Sequence, residues 1–226
     1  MGSEQSRGLT KTEVEAVEPL PRGRHDLAPA EVERHQRARI VAAVAKEMAL
    51  RGYGDLTVGQ IISEARVSRT TFYAQFANKR DAVAAAHETI SGRLLEILEE
   101  ACGRERDWPL KVKAGIEAIL DFAGGHPEQA RLLATRLDGA DVTLGENVRA
   151  SQRRLLELLG EGRRYPAAAE LPQITEEALA GAISTVLARA LVDGGDHATL
   201  RSQLVEFVLA FYLGAAEAAR VSSGSA

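Results

Sequence analysis

At 226 residues and 45% hydrophobic content, the chain is long enough for one large or two small globular domains. No apolar run approaches the roughly 20 residues that span a bilayer, the first residues lack the apolar core of a signal peptide, and the single Cys102 cannot form an intrachain disulfide; together these point to a cytoplasmic protein with no membrane segment. The net charge of −4 is unevenly spread: residues 22–80 carry 11 Lys/Arg against 6 Asp/Glu, and residues 81–226 carry 15 against 22, the asymmetry of a DNA-binding head on an acidic body.

Residues 1–28 mix Glu, Gly, Pro and Ser with little apolar content and read as a flexible arm. Within it, Arg22-Gly23-Arg24 is either a basic linker or an arm for a narrow minor groove. A helix is predicted over 30–51, with Ile40, Val44 and Met48 on one face. Thr57 with Gln60 forms a capping box for a short helix over 57–65, whose apolar face is Val58, Ile61, Ile62 and Ala65. Arg66-Val67-Ser68 breaks the pattern, and Ser68 is a good N-cap for the next helix, 68–75. There Phe72 and Phe76, four apart, stack on one side and can pack against Ile61, Ala65 and Val67. Thr70 and Ala74 then point the opposite way, flanked by Thr71 and Tyr73, with Arg69 at the leading end. Asn78 and Asp81 look like a further capping pair for a helix over 79–102.

Helices follow at 108–124, 127–138, 142–162, 175–193 and 198–220, with no convincing strand alternation. The fold class is therefore all-α, with about nine helices. Gly124-Gly125, Gly139 and Gly194-Gly195 supply turns that tolerate left-handed backbone. The division expected is an arm at 1–28, a DNA-binding domain at 29–78, a helical dimerisation body at 79–221, and a tail at 222–226. The last two helices carry more apolar surface than a single stripe. Leu179, Ile183, Val186, Leu187, Val208, Phe211 and Tyr212 are the expected interface of a homodimer through a four-helix bundle; the alternative is an internally buried helix pair. Trp108, Phe122, His126, Asn147 and Ser184 fall in helices that would surround a central pocket, although each reads more readily as a core or surface residue than as a ligand contact, and His126 before Pro127 as a helix-end residue. No metal-binding spacing or phosphate loop occurs, so no metal and no cofactor are expected. Cys102 reads as an inert helix residue rather than a thiol sensor.

A helix led by Arg-Thr-Thr with an outward Tyr suits a major groove. Arg can bond guanine O6 and N7, and Thr or Ala methyls can touch a thymine methyl. A helical hairpin within a core is the competing reading of the same residues. The run Val67-Ser68-Arg69-Thr70-Thr71-Phe72-Tyr73, with Phe76, Asn78-Lys79, Thr57-Val58, Ile61 and Ala65, resembles the tetracycline-repressor (TetR/AcrR) family of bacterial transcriptional regulators. The resemblance covers about residues 35 to 83. It implies base contacts at Arg69 and Thr70 and backbone contacts at Thr71, Tyr73 and Gln75. It also implies phosphate contacts at Thr57 and Lys79, with Ser68 opening the contacting segment. It implies, further, a dimer on palindromic double-stranded DNA that represses until a small-molecule effector enters the body. Regulation by a protein partner, or a helical enzyme acting on a small apolar substrate, are the alternatives. The enzyme lacks converging groups, since the adjacent pairs Glu99-Glu100 and Glu176-Glu177 point to different helix faces. Two departures from the family pattern stand out: Arg66 where the turn usually has Gly, and Ile62 where Ala is common. A non-Gly residue in such a turn either loosens it or stores strain.

Overall fold

The computed structural model describes residues 28–135, 146–193 and 197–224. These form ten α-helices, with no strand among the described residues. They are α1 (Pro29–Asp55), α2 (Val58–Ala65), α3 (Arg69–Gln75), α4 (Lys79–Gly103), α5 (Trp108–Gly125), α6 (Pro127–Ala134), α7 (Glu146–Gly160), α8 (Thr175–Asp193), α9 (His197–Leu213) and α10 (Ala215–Ser223). Two single-turn 3₁₀ helices, Glu161–Arg164 and Pro166–Ala168, link α7 to α8. The Arg22-Gly23-Arg24 arm and the turns at Gly139 and Gly194-Gly195 lie outside the described residues.

Two glycine expectations are corrected. Gly124-Gly125 stays helical, and α5 ends instead at His126, whose φ of −136° and ψ of 61° leave the helical region. The single helix expected over 198–220 is two, because Gly214 adopts φ 81°, ψ 159°, a conformation that only glycine enters freely. The chain turns there, and α10 packs against α9 and α5 with Ala218 fully buried.

The described residues divide into two compact units. The first holds 28–93 with 131–135 and 146–148; the second holds 94–130, 149–193 and 197–224. The division falls inside α4, not at its start. The reason is burial: Ala82, Val83, Ala86 and Ile90, all from the first half of α4, are inaccessible to solvent. In the first unit α1 buries Ala38, Ile40, Val41, Val44, Ala45 and Met48. Its regular geometry breaks at Gly52, with φ 74° and ψ 176°. That residue turns the chain toward Leu56, which is also buried.

The second unit is built around Trp108. Its indole N–H donates to the Leu158 carbonyl at 2.6 Å. The ring meets Tyr212 edge-on at 4.9 Å between centroids and lies 5.3 Å from Tyr165. The Arg163 fork holds Glu176 through Nε–Oε1 at 2.8 Å and Nη2–Oε2 at 2.7 Å, and donates as well to the Leu171 and Pro172 carbonyls. The Tyr212 hydroxyl donates to Glu176 Oε1 at 3.2 Å. Arg163 holds the Glu176 carboxyl below its usual range, while burial and the Glu176 anion push the Tyr212 phenol well above its own. No helix among the described residues is long and apolar enough to cross a membrane.

Candidate nucleic-acid interface

α2 and α3 are too short, at 8 and 7 residues, to be stable as isolated helices. Side-chain caps and burial hold them. Gln60 N–H donates to Thr57 Oγ1 at 3.3 Å, and Thr57 N–H donates to Gln60 Oε1 at 2.7 Å, the expected capping box. Ser68 Oγ accepts from Thr71 N–H at 2.9 Å, and the two hydroxyls share a hydrogen bond of 2.8 Å. The third cap follows: Asp81 N–H donates to Asn78 Oδ1 at 3.0 Å, and Ala77 N–H donates to Asp81 Oδ2 at 2.9 Å.

Phe72 and Phe76 are buried, 5.7 Å apart, with Ile61 and Ala65 of α2 buried in the same unit. Helical spacing then fixes what α3 turns outward. Arg69, Thr70, Tyr73 and Ala74 are exposed, Tyr73 by 52%. Thr71 is half-buried behind its bond to Ser68. Arg37 of α1 stacks over the Phe76 ring at 4.5 Å; burial lowers its guanidinium below the usual range against the opposing pull of Asp81 and Glu33.

The turn is tight. Arg66 takes the left-handed conformation, φ 51°, ψ 44°, so the turn stores strain rather than loosening around the bulky side chain. Two expected contact residues are placed differently from the rest. Gln75 donates from Nε2 to the Glu33 carbonyl at 3.2 Å, so its amide faces α1 rather than the outer surface; its Oε1 is buried. Lys79 donates to the Tyr53 carbonyl at 2.9 Å and lies 4.4 Å over the Tyr53 ring. One of its three protons is thus committed within the protein. Thr57 is exposed at the start of α2, where free N–H groups favour anions.

The expected dimer surface needs correction. Leu179, Ile183, Val208 and Tyr212 are buried in the core of their own chain, with Trp108. α8 and α9 each give one apolar side to that core, and the sequence reading merged this side with the outer one. Leu187 packs partly on the core, whereas Val186, Phe207 and Phe211 remain 39%, 44% and 40% exposed. Phe207, spaced four from Phe211, shares its face, and the two rings meet edge-on at 5.5 Å.

The expected pocket residues do not converge. Trp108 is a core residue with its N–H satisfied. Phe122 lies fourteen positions along α5, about 21 Å away at 1.5 Å per residue, with its ring 5.2 Å from that of His126. Ser184 is exposed on α8, and the Asn147 side chain lies outside the described residues. Cys102 is buried and its thiol is pushed up by burial, consistent with an inert residue. Sequence reading missed three buried polar residues of α4: His87, Ser91 and Arg93. His87 Nδ1 and Ser91 Oγ are 3.3 Å apart. The signal was there: both interrupt the inward stripe of Val83, Ile90 and Leu94.

Residues 40–86 match the sequence model described as bacterial regulatory proteins, tetR family. The chain is 31% identical over 97 residues to the HTH-type transcriptional repressor SCO4008 of Streptomyces coelicolor, a match covering 43% of this chain and 47% of that protein. It therefore spans about half the length of that curated relative. Fold likeness extends further. The fatty acid degradation regulator FadR from Bacillus halodurans superposes with a TM-score of 0.69 at 19% identity, over 82% of this chain and 97% of that one. FadR from Bacillus subtilis, solved in complex with stearoyl-CoA, gives 0.63 at 20% identity, over 78% and 97%.

Proposed function

We propose that this chain, a member of the tetR family of bacterial regulatory proteins, is a cytoplasmic repressor that binds an inverted-repeat operator as a homodimer and leaves it when a small molecule binds. The observation that carries the reading is the two-sided character of α3. Phe72 and Phe76 anchor it from within, while Arg69, Thr70, Tyr73 and Ala74 are presented outward. Arg69 and Thr70 read base edges, and Tyr73 with Thr71 holds the backbone. Thr57 and Lys79 bind phosphates from helix N-termini. Gln75 supports α3 from α1 instead of touching DNA.

The exposed faces of α8 and α9, with Val186, Phe207 and Phe211, join two copies, and twofold symmetry then demands a palindrome. Burying polar groups is costly unless they are hydrogen-bonded, and His87 and Ser91 satisfy each other across 3.3 Å. His87, Ser91 and Arg93 are the buried polar groups of α4 assigned to meeting the effector. All three belong to the compact unit that holds α2 and α3, so a ligand contact at them biases the head. By linkage, operator DNA weakens effector binding by the same factor.

The test is a mobility-shift titration on the DNA upstream of the chain's own coding sequence, across salt. One preferred palindrome with steep salt dependence supports the reading. A small-molecule screen for release follows, with stearoyl-CoA as first probe because the fold-related Bacillus subtilis protein was solved with it. Binding that no small molecule relieves points to a protein partner instead. Phe207→Glu with Phe211→Glu is expected to give monomers by sedimentation; dimers at micromolar concentration would move the interface elsewhere.

A further inference from the structure

Among the described residues, Arg66 is the sole non-glycine with positive φ. α2 ends on it: Arg66 N–H donates to the Ser63 carbonyl and Val67 N–H to the Ile62 carbonyl, both at 3.2 Å. This wrapped ending satisfies the earlier carbonyls and leaves the last two beyond the helix's own hydrogen bonds. Those two, of Ala65 and Arg66, both accept from Arg39 Nη2, the second at 2.9 Å. Arg39 comes from the middle of α1, between the buried Ala38 and Ile40, so its backbone is firmly held. A planar guanidinium on a fixed helix is suited to gripping two neighbouring oxygens.

We propose that Arg39 is a positioning residue for DNA recognition: it straps the left-handed turn at Arg66 to α1 and so sets the direction in which α3 leaves α2. A glycine would hold this turn unaided, because it enters the left-handed region without a side-chain clash. The strap substitutes for that freedom. The inference rests on the DNA-binding reading above, since it assigns Arg39 a role in an interface that reading supplies.

The experiment uses the full chain as wild type, Arg39→Ala, Arg66→Gly and the double variant. Operator affinity is measured by fluorescence anisotropy across salt, with thermal melts alongside. Arg39→Ala is expected to weaken operator binding about tenfold, while the salt slope stays as in wild type. In the Arg66→Gly background the same removal is expected to cost less than about twofold, a non-additivity that a double-mutant cycle reads directly. Arg39→Lys keeps the charge without the planar fork and is expected to recover only part of the loss. It also keeps the test readable if Arg39→Ala melts below the assay temperature. Equal losses in both backgrounds, an unchanged affinity, full recovery by lysine, or a salt slope reduced by about one, which marks a direct phosphate contact, would each overturn the strap. Wild type that binds no palindromic duplex overturns the functional reading and the strap with it; wild-type binding with any of those four results overturns the strap alone.

Discussion

The turn at Arg66 and the aromatic cluster at Trp108 are both tight places, and they are tight for opposite reasons. At Arg66 the backbone bends into a left-handed conformation and polar groups hold it there, leaving the outer side of α3 free. At Trp108 the backbone is relaxed and the rings come close. A Cβ on Gly162 would stand 2.6 Å from Tyr212 Cδ1 and closer still to the Trp108 ring. The head spends its sequence on short-range caps that present a surface. The second unit spends its sequence on long-range packing that presents little. Damage in one region is therefore expected to show in recognition, and in the other in stability.

The largest expected effect tests the packed side. Gly162→Ala forces the Trp108 and Tyr212 rings apart and is expected to destabilise the fold by about 3 kcal/mol, read by denaturant titration. Base preference at the operator, measured below the unfolding transition, should not change. Wild-type stability would mean that the rings yield and that the close approach is not a constraint. On the presenting side, Arg69→Ala is expected to lose about 2 kcal/mol of discrimination at one base pair per half-site. Its melting curve should stay within about 0.5 kcal/mol of wild type, because Arg69 is exposed. An altered base preference without that stability, or the reverse, would blur the division between the two regions.

The same division explains what could be read from sequence. Thr57/Gln60, Ser68 and Asn78/Asp81 were legible because a cap is a local event among residues three or four apart. Phe72 and Phe76 were legible for the same reason. Gln75 was not, since its partner, the Glu33 carbonyl, lies 42 residues away. The two apolar sides of α8 and α9 could not be separated, because periodicity shows that a face is apolar but not what covers it. Trp108, a pocket candidate that read more readily as core or surface, lies in the core; an isolated aromatic looks alike in a core and in a cavity until Leu158 and Tyr212 are placed around it. The break in the helix expected over 198–220 was not legible, because only the φ of Gly214 reveals a corner there.

Ser68→Ala tests whether presentation depends on capping. It removes the bonds to Thr71 N–H and Oγ1 and is expected to cost about 1 kcal/mol. Because α3 is only seven residues long, fraying at its start displaces Arg69 and Thr70 directly. Operator affinity and thermal stability should fall together, unlike the Arg69 variant. A loss of stability with full affinity would show that DNA reorders the helix start by itself.

The smallest expected effect concerns His87, which combines burial with a polar role and so lies between the two extremes. Burial lowers its folded pKa below the ordinary 6.5, with the Glu88 charge and hydrogen bonds at its own backbone and at Leu133 opposing. The folded state therefore favours the neutral ring. As pH falls through about 6.5, the unfolded chain takes up a proton that the folded chain resists. Its stabilising contribution is complete above that pH and is lost progressively as pH drops toward the lower, folded value. His87→Gln removes this proton uptake, so its stability is expected to vary less than wild type in that window. Glu176, held low by Arg163, titrates at more acidic pH and contributes equally to both proteins, so the difference curve isolates His87. Parallel curves for the two proteins would mean that the imidazole protonates as readily inside the fold as outside it. α4 would then carry no buried neutral histidine for an effector to meet.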